Sequence, residues 1–66
     1  MKNRIKVERA IMDITQQQLA EALGVSRQTI NSIEQAKYVP SALLAMKIAR
    51  YFGKPVEEIF SLEDGE

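Results

Sequence analysis

Arg27, Gln28, Asn31 and Ser32 stand at i, i+1, i+4 and i+5 of one short segment, a spacing that gathers them on one face of a helix. A guanidinium offers a rigid fork of N–H donors, and a primary amide sets a donor beside an acceptor. Such groups recognise hydrogen-bonding partners; they do not break bonds. The same four residues also suit a solvated helix face, so their meaning depends on what holds them. Bond-making chemistry is closed off elsewhere. The 66 residues include no cysteine and no histidine, which removes disulfides, thiolate nucleophiles, His–Cys metal sites and imidazole bases. The remaining catalytic-type groups are carboxylates, gathered mostly near the C-terminal end without a cavity-forming constellation. No enzyme, metal or cofactor is expected.

The elements that must position these side chains are short helices in close succession. A first helix is predicted from about Arg4 to Met12, with Asn3 as its cap and Ile5, Val7, Ala10, Ile11 and Ile14 as its apolar face. Thr15 and Gln18 form a Thr-x-x-Gln capping box for a second helix, Gln16 to Leu23, which Gly24 ends. Ser26 caps a third, from Arg27 to about Gln35. After a looser stretch, Ala36 to Pro40, Ser41 caps a fourth, from Ala42 to Phe52. Its stripe is Leu44, Ala45, Ile48, Ala49 and Phe52, and Gly53 stops it. Pro55 suits the start of a fifth helix, Val56 to Phe60. A brief extended segment near Leu62 and a frayed end complete the reading. The fold class is all-α, five helices, one domain over residues 1–66.

This length allows one domain at most, burying about 60% of the surface its unfolded form exposes. No apolar run approaches the roughly 20 residues that span a bilayer, and Met1 to Lys6 lacks a signal-peptide core. A soluble cytoplasmic protein, with no membrane partner, is expected. The net charge of zero hides a division. Residues 1–54 hold all nine basic residues and four acids, a net +5, while 55–66 hold the other five acids, a net −5. A mildly basic body carries an acidic tail, a distribution open both to a polyanionic partner and to ordinary surface charge.

The most constrained stretch is 16–35, a helix, a three-residue turn and a second helix. Two helices meeting steeply over so short a turn need a small residue at the approach, a glycine at the reversal and apolar residues in the wedge. Ala20, Gly24, and Leu19, Leu23, Val25, Ile30 and Ile33 meet all seven demands. With "ITQQQLAEALGVSRQTINSIEQAKYVPS", "ALLAMKIARYF" and "PVEEIF" in succession, the chain resembles the helix-turn-helix proteins of the phage repressor and Cro, or xenobiotic-response-element (XRE), family. The resemblance spans roughly residues 4–60. It implies a repressor-like DNA-binding domain whose third helix enters the major groove.

The resemblance also implies roles. Arg27, Gln28, Asn31 and Ser32 would read bases: Arg27 guanine O6 and N7, Gln28 and Asn31 adenine N6 and N7. Gln16, Ser26, Thr29, Lys37 and Tyr38 would meet the DNA backbone, and Ser26 is also a cap. Tyr38 either does this or packs against the fourth helix. Arg9 and Glu34 would pair between the first and third helices; the alternative is two independent surface charges. Relatives commonly carry glycine or asparagine where Ala36 stands. Alanine there would cost about 1 kcal/mol if the left-handed turn is kept, or else the turn differs and shifts Lys37. Many relatives have an aliphatic residue at the place of Glu8, which would rotate or loosen the first helix.

Val56, Ile59, Phe60 and Leu62 form an apolar group at the C-terminal end, about 55–62. It is either a dimer interface, which Leu43 could extend, or the closure of the monomer's core. The expected function is a sequence-specific regulator of transcription. It would act as a repressor, binding a palindromic double-stranded operator as a homodimer at the nucleoid. An antitoxin-type autoregulator, with a protein partner, and an interaction module that has lost DNA binding are the alternatives.

Overall fold

The computed structural model describes residues 1–66 and contains the five helices: α1 (Ile5–Met12), α2 (Gln16–Leu23), α3 (Arg27–Glu34), α4 (Ala42–Phe52) and α5 (Val56–Ile59). Two short strands, β1 (Lys2–Asn3) and β2 (Phe60–Ser61), pair antiparallel, with Lys2 opposite Ser61 and Asn3 opposite Phe60. The expected extended segment is therefore real but begins at Phe60, which leaves α5 one residue short of its predicted end. Its partner, β1, carries no periodicity that would announce it.

The predicted caps form. Thr15 Oγ1 accepts from the Gln18 N–H at 3.0 Å, and Gln18 Oε1 accepts from the Thr15 N–H at 2.8 Å. Ser26 and Ser41 cap α3 and α4 by a single bond each, their Oγ atoms accepting from the N–H groups of Thr29 and Leu44. Asn3 acts one position earlier than a regular cap: its Oδ1 accepts from Ile5 N–H, while its Nδ2 donates to the carbonyl of Ile33 in α3 at 2.8 Å.

Four helices end alike, with a left-handed residue whose own N–H and the next one reach back to two late carbonyls. These residues are Asp13, Gly24, Ala36 and Gly53. At Ala36 the φ is 58°, with Ala36 N–H on Ile33 O and Lys37 N–H on Ser32 O, both 2.9 Å. The left-handed turn is thus kept without glycine, and Lys37 stays in register. Asp13, at φ 56°, is a second non-glycine in this conformation, which acidic and amide side chains tolerate better than most.

The core joins Leu19, Ala20 and Leu23 of α2, Ile30 and Ile33 of α3, and Leu44, Ala45, Ile48 and Ala49 of α4. Ile5 closes it from α1, and Ile59 and Phe60 from the C-terminal end. Each fully buried isoleucine removes enough apolar surface to stabilise the fold by about 1.5–3 kcal/mol.

α1 differs from its expected packing. Of its predicted apolar face only Ile5 is buried and Ile14 half-buried; Ala10 is exposed, as are Val7 and Ile11 at 48% and 67%. The inward positions are Ile5, Glu8 and Arg9, spaced i, i+3, i+4. Glu8 is only 3% exposed and meets Lys54 Nζ at 2.8 Å, with Arg4 Nη2 at 3.8 Å. The helix is turned so that ionic partners, rather than aliphatic ones, face the body.

At the chain's two ends, the amino group of Met1 lies 2.9 Å from Glu66 Oε2 and 3.3 Å from Glu63 Oε2. Glu66, through its hydrogen bond, holds that amine above its usual pKa. The backbone N–H of Glu63, followed by the amine itself, holds the Glu66 carboxyl below its own.

Candidate nucleic-acid interface

Ile30 and Ile33 anchor α3 in the core, which fixes the helix's rotation and turns Arg27 and Gln28 fully outward. Asn31 and Ser32 follow one turn later, half-buried. The predicted row therefore shares one face. Ser26 caps the helix: its Oγ accepts from Thr29 N–H at 3.1 Å and lies 2.8 Å from Thr29 Oγ1. Both hydroxyls serve the helix start before anything else.

Beyond α3, Lys37 and Tyr38 are exposed, and Tyr38 keeps 49% of its surface rather than packing down. Ser26, Gln28, Thr29, Ser32, Lys37 and Tyr38 together line an open recess of about 290 Å³. All six are residues that the sequence singled out. Four hydroxyls, an amide and an ammonium suit an anionic, hydrogen-bond-accepting partner.

Behind this recess lies a network that the sequence disclosed only in part. Arg9 Nε and Nη2 grip Glu34 Oε2 and Oε1 at 2.6 and 3.1 Å, and Arg9 Nη1 donates to the Ile14 carbonyl at 3.1 Å. The pairing is thus bidentate, with side-chain exposures of 15% and 6%, rather than two free surface charges. Gln16 Nε2 donates to Glu34 Oε1 and to Asn31 Oδ1, each at 3.1 Å. Arg27 Nη1 approaches Gln16 Oε1 at 3.4 Å, and Gln35 Nε2 donates to Asn31 Oδ1 at 3.3 Å. Gln16, expected as a backbone contact, has both amide hydrogens engaged here. Gln35 was missed, because a polar residue at a helix end signals nothing by itself.

The C-terminal group divides. Ile59 and Phe60 are 1% and 6% exposed and close the chain's own core, so they offer no surface to a second copy. Val56 is half-buried; Leu62, at 70%, and Leu43, at 69%, are exposed.

A helix-turn-helix family model matches residues 5–59. The chain belongs to the XRE-type helix-turn-helix family. Its relatives agree over the full length. A helix-turn-helix-type transcriptional regulator of Methanocaldococcus jannaschii is 56% identical over 66 residues, covering 100% of both chains. Another, YgzD of Bacillus subtilis, is 47% identical over 97% of each chain. A third, from Archaeoglobus fulgidus, is 47% identical over 100% of this chain and 93% of its own. As a member of this family, the chain is a DNA-binding regulator of transcription. No helix of it is long and apolar enough to cross a membrane.

Proposed function

We propose that the protein is a repressor that binds a palindromic operator as a homodimer at the nucleoid, residues 1–66 acting as one domain. In each copy α3 lies in the major groove. Arg27, Gln28, Asn31 and Ser32 read bases; Ser26, Thr29, Lys37 and Tyr38 hold phosphates. Gln16 contributes through the main-chain N–H groups that open α2. The observation that carries this reading is the freedom of the row's leading pair. Gln28 has no intramolecular side-chain hydrogen bond, and Arg27 has one long contact, so both reach a partner without breaking structure.

Dimerisation rests on Leu62 and the exposed part of Val56, with Leu43 as the extension. Two half-sites about 34 Å apart double the few base contacts one small module makes. Repression is the role that suits such a module: occupied by DNA and its own copy, it blocks a promoter by being there.

Arg27→Ala and Gln28→Ala are expected to abolish operator preference while leaving helicity and dimer mass unchanged. Gel-shift competition against random duplex, with circular dichroism and sedimentation beside it, reads all three. Undiminished preference in both variants sinks the assignment.

A further inference from the structure

We propose that the buried carboxylate of Glu34 sets the hydrogen-bond polarity of the recognition face, so that Asn31 meets the groove as a donor only. The inference rests on α3 being the groove helix and specifies what one of its positions can read.

Gripped by the Arg9 fork, Glu34 presents oxygens that only accept. Gln16 must therefore turn its Nε2, not its Oε1, toward Glu34. The second hydrogen of that nitrogen goes to Asn31, which must answer with Oδ1. Gln35 Nε2 supplies a second donor to the same oxygen, so both of its lone pairs are spent. Gln16 sets the orientation. Flipping Asn31 alone sets its Nδ2 against the Gln16 donor nitrogen, and flipping Gln16 as well sets its oxygen against the carboxylate.

Asn31 Nδ2 has no protein partner, yet no buried side-chain nitrogen or oxygen lacks one. The Nδ2 group is therefore what Asn31 shows to solvent. Adenine pairing, expected from the residue type, needs the amide to accept from N6–H while donating to N7, and the accepting half is already occupied. A lone donor meets two adjacent acceptors on guanine, O6 and N7, and one on thymine, O4; on adenine it meets N7 alone, beside the opposing N6 donor. The same relay leaves Gln16 Oε1 facing Arg27, which steadies the guanidinium beside it.

Site selection from a random duplex pool tests this with the full chain and three variants: Asn31→Ala, Asn31→Asp and Glu34→Gln. The base position that loses its preference in Asn31→Ala is the one Asn31 meets. There the unaltered chain is expected to select guanine or thymine roughly tenfold over adenine and cytosine. Asn31→Asp keeps both inner bonds, because its oxygens also accept, but turns an acceptor outward. Selection at that position should invert toward adenine or cytosine, whose exocyclic amines donate. Glu34→Gln, which lets Gln16 face either way, should admit adenine; if it loses its helical signal, Asn31→Asp decides alone. Adenine chosen by the unaltered chain overturns the proposal, as does an Asn31→Ala profile identical at every position. A chain that enriches no sequence fails differently: the groove-helix reading falls, and this inference with it.

Discussion

Glu8 and Arg9 are neighbours on α1, and each joins that helix to another part of the molecule through a buried ion pair. Arg9 reaches Glu34 on α3 with a planar fork, and its remaining nitrogen finds a carbonyl. Glu8 reaches Lys54, in the turn between α4 and α5, whose side chain is 37% exposed. The two joints look alike in charge but differ in wiring. Glu34 passes its polarity on through Gln16 to Asn31, whereas the Glu8 joint ends at a lysine in contact with water. A point charge on a flexible stem can be replaced by hydration; a fork that satisfies a buried carboxylate and orients its neighbours cannot.

The largest expected effect separates the joints directly. Arg9→Ala strands Glu34 in the interior and should destabilise by about 3–5 kcal/mol. Lys54→Ala should cost about 1–2 kcal/mol, because Arg4 stands by and water has access. Denaturant midpoints measure both, and equal losses would erase the distinction. A smaller effect sharpens it: Glu8→Leu removes the buried charge and frees Lys54 to solvent. Thermal unfolding should show a neutral change or a gain of about 1 kcal/mol, with base preference unaltered. A loss above about 2 kcal/mol would make the second joint as indispensable as the first. The smallest effect lies outside both joints. Ala36→Gly relieves a left-handed alanine and should gain up to about 1 kcal/mol, or several degrees in Tm. A lower Tm would mean that Ala36 earns its place by another contact.

Local chemistry made α2, α3 and α4 legible. A capping box, two capping serines and two glycines mark their ends, and an apolar stripe marks the inward face of each. The recess face was legible for the same reason, since the inward isoleucines dictate which residues face out. α1 was not. Hydrophobic periodicity selected Val7, Ala10 and Ile11, but the inward face belongs to charges whose partners lie 25 and 46 residues away. The Arg9–Glu34 pair came only from the family resemblance. The relay through Gln16 and Gln35 was invisible, because an amide's orientation depends on three-dimensional neighbours. The apolar C-terminal group was seen, but its division into core and surface was not. That depends on β1, and two residues are too few to show a pattern.

The β1–β2 ladder joins residues near opposite ends of the chain through two residue pairs. Little burial supports it beyond Ile5, Ile59 and Phe60, and closing so long a loop brings the greatest entropy cost in the molecule. Hydrogen exchange should therefore be fastest at this seam and slowest at Ile30 and Ile48. Opening the seam would uncover greasy side chains while α2 and α3 remained folded, a half-undone form with an intact reading head and a new adhesive edge.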